Sequence, residues 1–301
     1  MTSRLAPVVV LALAICVSGA GCKLPEAPNC PVLPASNVWN QEIASLPVAG
    51  NSGAMIAAIG STSPVHPDFG SNLEYGIPYN VVSGTQPRQR VTFDYDDESD
   101  AGPYPIPDNP KIEGGGDAHL ITVDRDNCRL YELFAVRRTA DGWAAGSGAI
   151  WDLRSNALRP DGWTSADAAG LPILPGLVRH DEVAGGVIDH ALRFTARRTR
   201  NTHVYPARHH AGTDDPALPP MGMRVRLKAS FDTSGFSRDT RVILTALKRY
   251  GMLLADNGSP WFISGVSNPD FDDDAMHELG RVQGADFEVV DTSSLPRGPG
   301  G

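Results

Sequence analysis

The run HLITVDRDNCRLYELFAV, residues 119–136, carries the reading of the fold. His119–Asp124 and Cys128–Val136 are rich in apolar and β-branched residues. The polar Arg125-Asp126-Asn127 between them is turn chemistry, so the spacing predicts a β-hairpin. Counting back from the turn brings Glu132 nearly opposite His119 or Leu120. One residue of register decides whether Glu132 and His119 share a face, because side chains alternate sides along a strand.

Working outward, strand-like pieces Ile77–Val82 and Arg90–Tyr95 precede the hairpin, separated by proline and glycine. Asp94–Gly116 reads as a long loop with an acidic start (Asp94, Asp96, Asp97, Glu98, Asp100), and loops of that length are functional or disordered. Downstream, Trp143–Leu153, Gly186–Thr195, Thr202–Pro206 and Met223–Phe231 are further expected strands. In the last of these Val225, Leu227 and Ala229 alternate with Arg224, Arg226 and Lys228, which predicts one buried and one wet face. Met252–Ala255 and Trp261–Ser264 flank Asp256-Asn257-Gly258-Ser259 and predict a second hairpin, with a last strand at Phe287–Val290. Helices are few. Ser52–Ile59 starts at Asn51 or Ser52 and stops at Gly60; Asp239–Tyr250 puts Val242, Ile243, Ala246, Leu247 and Tyr250 on one stripe behind an Asp239 cap; a short one covers Asp273–Val282. With 31 Gly and 25 Pro in 301 residues, short elements joined by tight turns are expected. The expected fold is mainly β: a single β-sandwich or jelly-roll-like domain over residues 37–292, with a few short peripheral helices.

Met1–Gly21 carries Arg4, the apolar Leu5–Val17 and the small residues Ser18-Gly19-Ala20-Gly21 ahead of Cys22, the layout of an exported lipoprotein signal. Its apolar run of about 13 residues is short of the roughly 20 that span a bilayer. Export is therefore expected, with the chain lipid-anchored through Cys22 to the cell envelope or, after ordinary signal cleavage, secreted. Membrane contact is expected through that anchor alone. Residues 22–36, with Pro25, Pro28, Pro31 and Pro34, read as a tether, and residues 293–301 as a disordered tail. In an oxidising compartment Cys30 and Cys128 predict a disulfide. A formal net charge of −9 argues against a nucleic-acid partner. A monomer is expected.

The chain has no GxSxG, no phosphate loop after Gly114-Gly115-Gly116, no HExxH and no Cys/His zinc spacing, so no cofactor and no metal ligand is assigned. Three groups remain. Asp117, His119 and Glu132 could form a carboxylate–imidazole pair on a sheet surface, the plainer reading being an exposed Glu and a turn-satisfied His. Trp163 and Asp167, near each other in a Thr164- or Ser165-capped turn, suit a sugar: the ring stacks and the carboxylate takes hydroxyls or a proton. Trp163 is equally a core residue. The third group holds His180, Asp181, Glu182, Asp189, His190, Arg193, Tyr205, Arg208, His209 and His210. For any one of these histidines a structural role is the plainer reading.

Trp151-Asp152-Leu153, Leu158–Gly176, His190–Phe194, Pro219–Asp232, and Ala246–Gly251 with Asp256-Asn257-Gly258 resemble a group of exported bacterial proteins without a settled activity. The resemblance spans about residues 37–292 and extends loosely to carbohydrate-active β-sandwich proteins; it supplies no catalytic residues, and the link to carbohydrate is analogy. The expected function is action on an extracellular polysaccharide or other envelope glycan by glycoside hydrolysis. Asp117, Glu132 or Asp167 would be the acid/base carboxylates, and His119, His190 and His209 proton carriers gathered in a common hollow. Arg193, Arg208 and Tyr205 would hold substrate under a Trp163 stacking platform. The competing readings are a non-catalytic glycan- or envelope-binding lipoprotein, and a polysaccharide lyase with a His or Tyr base and Arg neutralising a uronate.

Overall fold

A computed structural model describes residues 23–297. The expected signal segment, lipidation at Cys22 and the end of the tail lie outside these residues. The strands, in chain order, are β1 (Lys23–Leu24), β2 (Ala27–Pro31), β3 (His66–Asp68), β4 (Tyr79–Val82), β5 (Val91–Phe93), β6 (Leu120–Asp124), β7 (Arg129–Phe134), β8 (Arg137–Thr139), β9 (Gly142–Ala145), β10 (Ser147–Asp152), β11 (Leu192–Ala196), β12 (Arg224–Leu227), β13 (Met252–Asn257), β14 (Phe262–Ser264) and β15 (Phe287–Val289). The helices are α1 (Ser52–Ile59), α2 (His180–Gly185), α3 (Arg238–Arg249) and α4 (Asp273–His277). With 27% strand and 17% helix the fold is sheet-rich, as expected, and its helices are few and short.

Two larger sheets organise the molecule: a four-stranded one in the order β10-β7-β6-β4 and a six-stranded one in the order β15-β12-β13-β11-β14-β3. One apolar core joins them, taking Ile121, Val123, Leu130 and Trp151 from the first and Leu192, Phe194, Val225 and Leu254 from the second. The opposite face of the four-stranded sheet is covered as well. Leu120, Tyr131 and Leu133 pack with Val91, Tyr104 and Trp143 in a second core beside the small β5-β9-β8 sheet. A strand covered on both faces has no wet side, which is why β6 is buried at every residue instead of alternating. The sheets are mixed, with parallel pairs β4·β6, β5·β9, β11·β13 and β14·β3 among antiparallel ones.

The first hairpin forms, with Ile121 opposite Glu132. His119, two residues before Ile121, therefore shares the Glu132 face. The second does not: β11 inserts between β13 and β14, parallel to one and antiparallel to the other. The Asp256–Trp261 connection crosses the end of β11, where Gly258 and Trp261 donate to the carbonyls of Ala196 and Thr195. Apolar β11 belongs at the centre of a sheet, and hairpin spacing alone cannot foresee that insertion. Trp143–Leu153 splits at Gly146 into β9 and β10 of different sheets; a Cβ there would lie 2.7 Å from the Phe134 ring.

Gly186–Thr195 is a strand only from Leu192 onward, preceded by α2, and Thr202–Pro206 contributes a single bridge, His203 to Met221. The cap of α3 is Ser237, whose Oγ accepts from Thr240 N, so the helix begins one residue before Asp239. The expected wet face of β12 is also corrected. Arg224 and Arg226 are buried because their guanidinium forks take the carbonyls of Val38, Gln41, Ile43, Ala44, Leu46 and Tyr250.

The segment read as a tether is folded. Leu24, Ala27, Cys30, Val32 and Leu33 are core residues, and the predicted Cys30–Cys128 disulfide ties the segment to the hairpin turn, with a Cα–Cα distance of 5.3 Å. The described part of the tail is tied down: Leu295 packs on the core, and the Tyr205 hydroxyl donates to Pro296 O. Among the described residues no helix is long and apolar enough to cross a membrane.

Candidate functional site

A cleft of about 280 Å³ opens where four segments meet: the acidic loop (Tyr95, Glu98), the 164–168 loop, the Arg208–Ala211 segment (His209, Ala211) and the end of β13 (Asp256). Phe134 and Ser147 complete it. The 164–168 loop is tied to itself and to the sheet. Ser165 Oγ donates to the carbonyls of Asp167 and Leu171 and accepts from Asp167 N, while Ser147 Oγ donates to Ser165 O. Gly170 has φ +66°, and a Cβ there would stand 2.6 Å from Trp163 O and 3.3 Å from His209 N. A side-chain-free residue is what lets the His209 backbone close onto this loop.

Beneath the cleft Asp167 and Arg193 form a buried two-pronged ion pair, with Nε donating to Oδ2 at 3.0 Å and a terminal nitrogen to Oδ1 at 2.8 Å. The other terminal nitrogen donates to Ser264 Oγ. The nitrogen that reaches Asp167 Oδ1 also stands 3.8 Å from Asp256 Oδ2. Two carboxyl oxygens at 2.8 and 3.8 Å from one atom are less than about 7 Å apart, close enough for the charges of Asp167 and Asp256 to act on each other. Burial and the negative charge of Asp167 push the Asp256 carboxyl up to about 7, against Arg193, which pulls it down.

Asp256 faces this pair because of a backbone irregularity. Along β11·β13, Arg193 pairs with Leu253 and Phe194 with Leu254, but Thr195 pairs with Asp256, skipping Ala255. The extra residue is a β-bulge. It turns Asp256 onto the face of Arg193, where strict alternation would have turned it away. Above them, Glu98 Oε2 accepts from Thr164 N at 3.0 Å and stands 3.7 Å from His209 Nε2. His209 Nδ1 donates to Ala168 O at 2.8 Å, which leaves Nε2 as the ring atom available for proton exchange. Tyr95, 56% exposed, is an aromatic wall at the mouth.

Of the residues expected from sequence, Asp167 and His209 line the cleft and Arg193 supports it. His119 and Glu132 lie behind its wall. His119 Nε2 donates to Ala166 O, and its Nδ1 meets Glu113. Burial opposes charge on this ring, but Glu113 outweighs burial and raises the His119 pKa; the bonds to His119 hold the Glu113 carboxyl low despite burial. Glu132 accepts from Trp151 Nε1, Ile173 N and Leu174 N. Burial, with a contribution from Asp167, pushes it up to about 7 against those bonds. It anchors the Leu174–Gly176 turn and does not face His119 as a partner.

The remaining residues stand apart. Asp117 is exposed on the glycine loop. His190 is buried against Glu182 and Ala191 O. Arg208 reaches Arg159 O and Asp161, and Tyr205 meets the C-terminal segment. Trp163 is covered by the Arg159 guanidinium, 5.4 Å from its ring. The three imidazoles His119, His190 and His209 therefore share no hollow, because the first two are themselves buried, His119 held by half-buried Glu113 and Ala166 O and His190 by buried Glu182. Reasoning from sequence missed Glu98, whose only signal was the acidic start of the long loop, and Asp256, which lay in an expected hairpin turn.

Among the described residues no group of three or more His, Cys, Asp or Glu is arranged to hold a metal ion. The hydroxyls of Ser147, Thr164 and Ser165 all donate to backbone carbonyls and none touches an imidazole, so no hydroxyl nucleophile is activated here. No family model, curated protein or solved structure matches the chain.

Proposed function

We propose that this protein hydrolyses glycosidic bonds in an extracellular polysaccharide, with Asp256 as general acid and Glu98 as the partner carboxylate. The observation that carries this reading is the environment of Asp256. A cleft carboxyl placed beside a buried, ion-paired Asp167 keeps its proton toward neutrality, the state in which a carboxyl can protonate a leaving glycosidic oxygen. Asp256 gives its proton to the leaving glycosidic oxygen as the bond to the anomeric carbon breaks. Glu98 takes a proton from the water that attacks that carbon, and His209 beside Glu98 relays the proton outward. Asp167 and Arg193 act as positioning residues, and exposed Tyr95 stacks on a sugar ring at the mouth. The signal-like first residues and the disulfide agree with an exported, sandwich-like protein of this kind.

The test is release of new reducing ends from a polysaccharide panel by wild type, Asp256→Asn and Glu98→Gln. Loss of one general acid or base costs about 10²–10⁴-fold. Retention of a glycan with no cleavage by wild type would move the protein to the non-catalytic, glycan-binding class.

A further inference from the structure

We infer that the cleft selects glycan units without acidic substituents, so that uronate and sulfated chains are excluded from the site; this rests on the glycan reading above. A uronate-binding site needs a cation that can reach the sugar carboxylate. None of the residues lining the cleft is Lys or Arg, and its one imidazole, His209, gives Nδ1 to Ala168 O and turns Nε2 toward Glu98, while Glu98, Asp167 and Asp256 all line it. The two arginines best placed by sequence are already committed. Arg193 gives one edge of its guanidinium to Asp167 and its other terminal nitrogen to Ser264, and it is 3% exposed beneath the floor. Arg208 gives Nε to Arg159 O and a terminal nitrogen to Asp161, away from the cleft lining.

A substrate carboxylate entering this space would meet like charge at Glu98 and, above neutrality, at Asp256, with no Lys or Arg to compensate and with the His209 ring already turned toward Glu98. Freeing Arg193 to serve it would strand Asp167 as an unpaired buried anion. The whole-chain charge of −9 opposes approach of a polyanion from further out as well. A neutral pyranose meets none of these penalties, and its hydroxyls can donate to the same carboxylates. The same geometry disfavours lyase chemistry at this cleft, since abstraction of the proton beside a uronate carboxylate depends on a cation to neutralise that carboxylate.

The test is binding at pH 8, measured by calorimetry, of cellohexaose, maltohexaose and galactohexaose, each paired with its C6-oxidised uronate, to wild type and Asp256→Asn at low and physiological salt. The expected result is that at least one neutral oligomer binds and its uronate binds about 100-fold more weakly, like charges in a site costing several kcal/mol. That gap narrows in Asp256→Asn and with salt. Equal or tighter uronate binding, failure of every neutral oligomer to bind, or a gap unchanged in Asp256→Asn overturns the inference. Charge-selective binding without cleavage overturns hydrolysis and leaves the selectivity standing; cleavage of a uronate chain does the reverse.

Discussion

Replacing Glu132 with Gln isolates the energy stored in one buried acid. Its side chain is fully buried, and burial moves its pKa from 4.5 to about 7. At 1.36 kcal/mol per pH unit that displacement is worth about 3 kcal/mol. The folded protein binds this proton more tightly than the unfolded chain does. The Glu132 contribution is therefore fully present below about pH 4.5 and is lost as pH rises to about 7. The amide oxygen of Gln, in the place of Oε1, can still accept from Ile173 and Leu174, but its NH₂, in the place of Oε2, meets Trp151 Nε1–H as donor against donor, costing about 1 kcal/mol. Urea denaturation from pH 5 to pH 8 should therefore show Glu132→Gln less stable than wild type at the acid end. The difference should close and reverse toward pH 8, with wild type losing about 2.5 kcal/mol more across the range, because part of the loss already falls below pH 5. Parallel curves for the two proteins would refute the assignment of Glu132 as a carboxyl that must ionise inside the core.

Three further outcomes follow from the same structure. Arg193→Met leaves Asp167 buried without its partner and should destabilise the fold by about 3–5 kcal/mol in urea titrations at pH 7; a loss below 1 kcal/mol would mean the ion pair is solvated. Cleavage of a responsive glycan should fall as pH rises through about 7, as Asp256 loses the proton it donates, and a pH–rate profile with no alkaline limb near 7 argues against Asp256 as the acid. Converting both Cys30 and Cys128 to Ala opens a connection of 98 residues and should lower stability by about 4–5 kcal/mol in the chain-entropy picture. An unchanged thermal midpoint would show that the N-terminal segment is held by its apolar contacts alone.

The local chemistry of the chain already specified much of this molecule. Apolar runs broken by Arg125-Asp126-Asn127 announce the β6·β7 hairpin, the α3 stripe shows which side of that helix is buried, and two cysteines suffice to predict the bridge. Asp167, His209 and Arg193 could be picked out from the sequence as polar candidates, and the structure brings them to one cleft and its floor. Long-range partnership was not. The burial of Arg224 and Arg226 depends on carbonyls some 180 residues away. The separation of β13 from β14 depends on β11 claiming the place between them, and the direction of Asp256 depends on one bulged residue, Ala255. Propensity and alternation act over a few neighbouring residues, so they set elements and faces. A cleft is made where distant backbone ends converge, and its charges take their character from burial and from each other, quantities that exist once the chain has closed on itself.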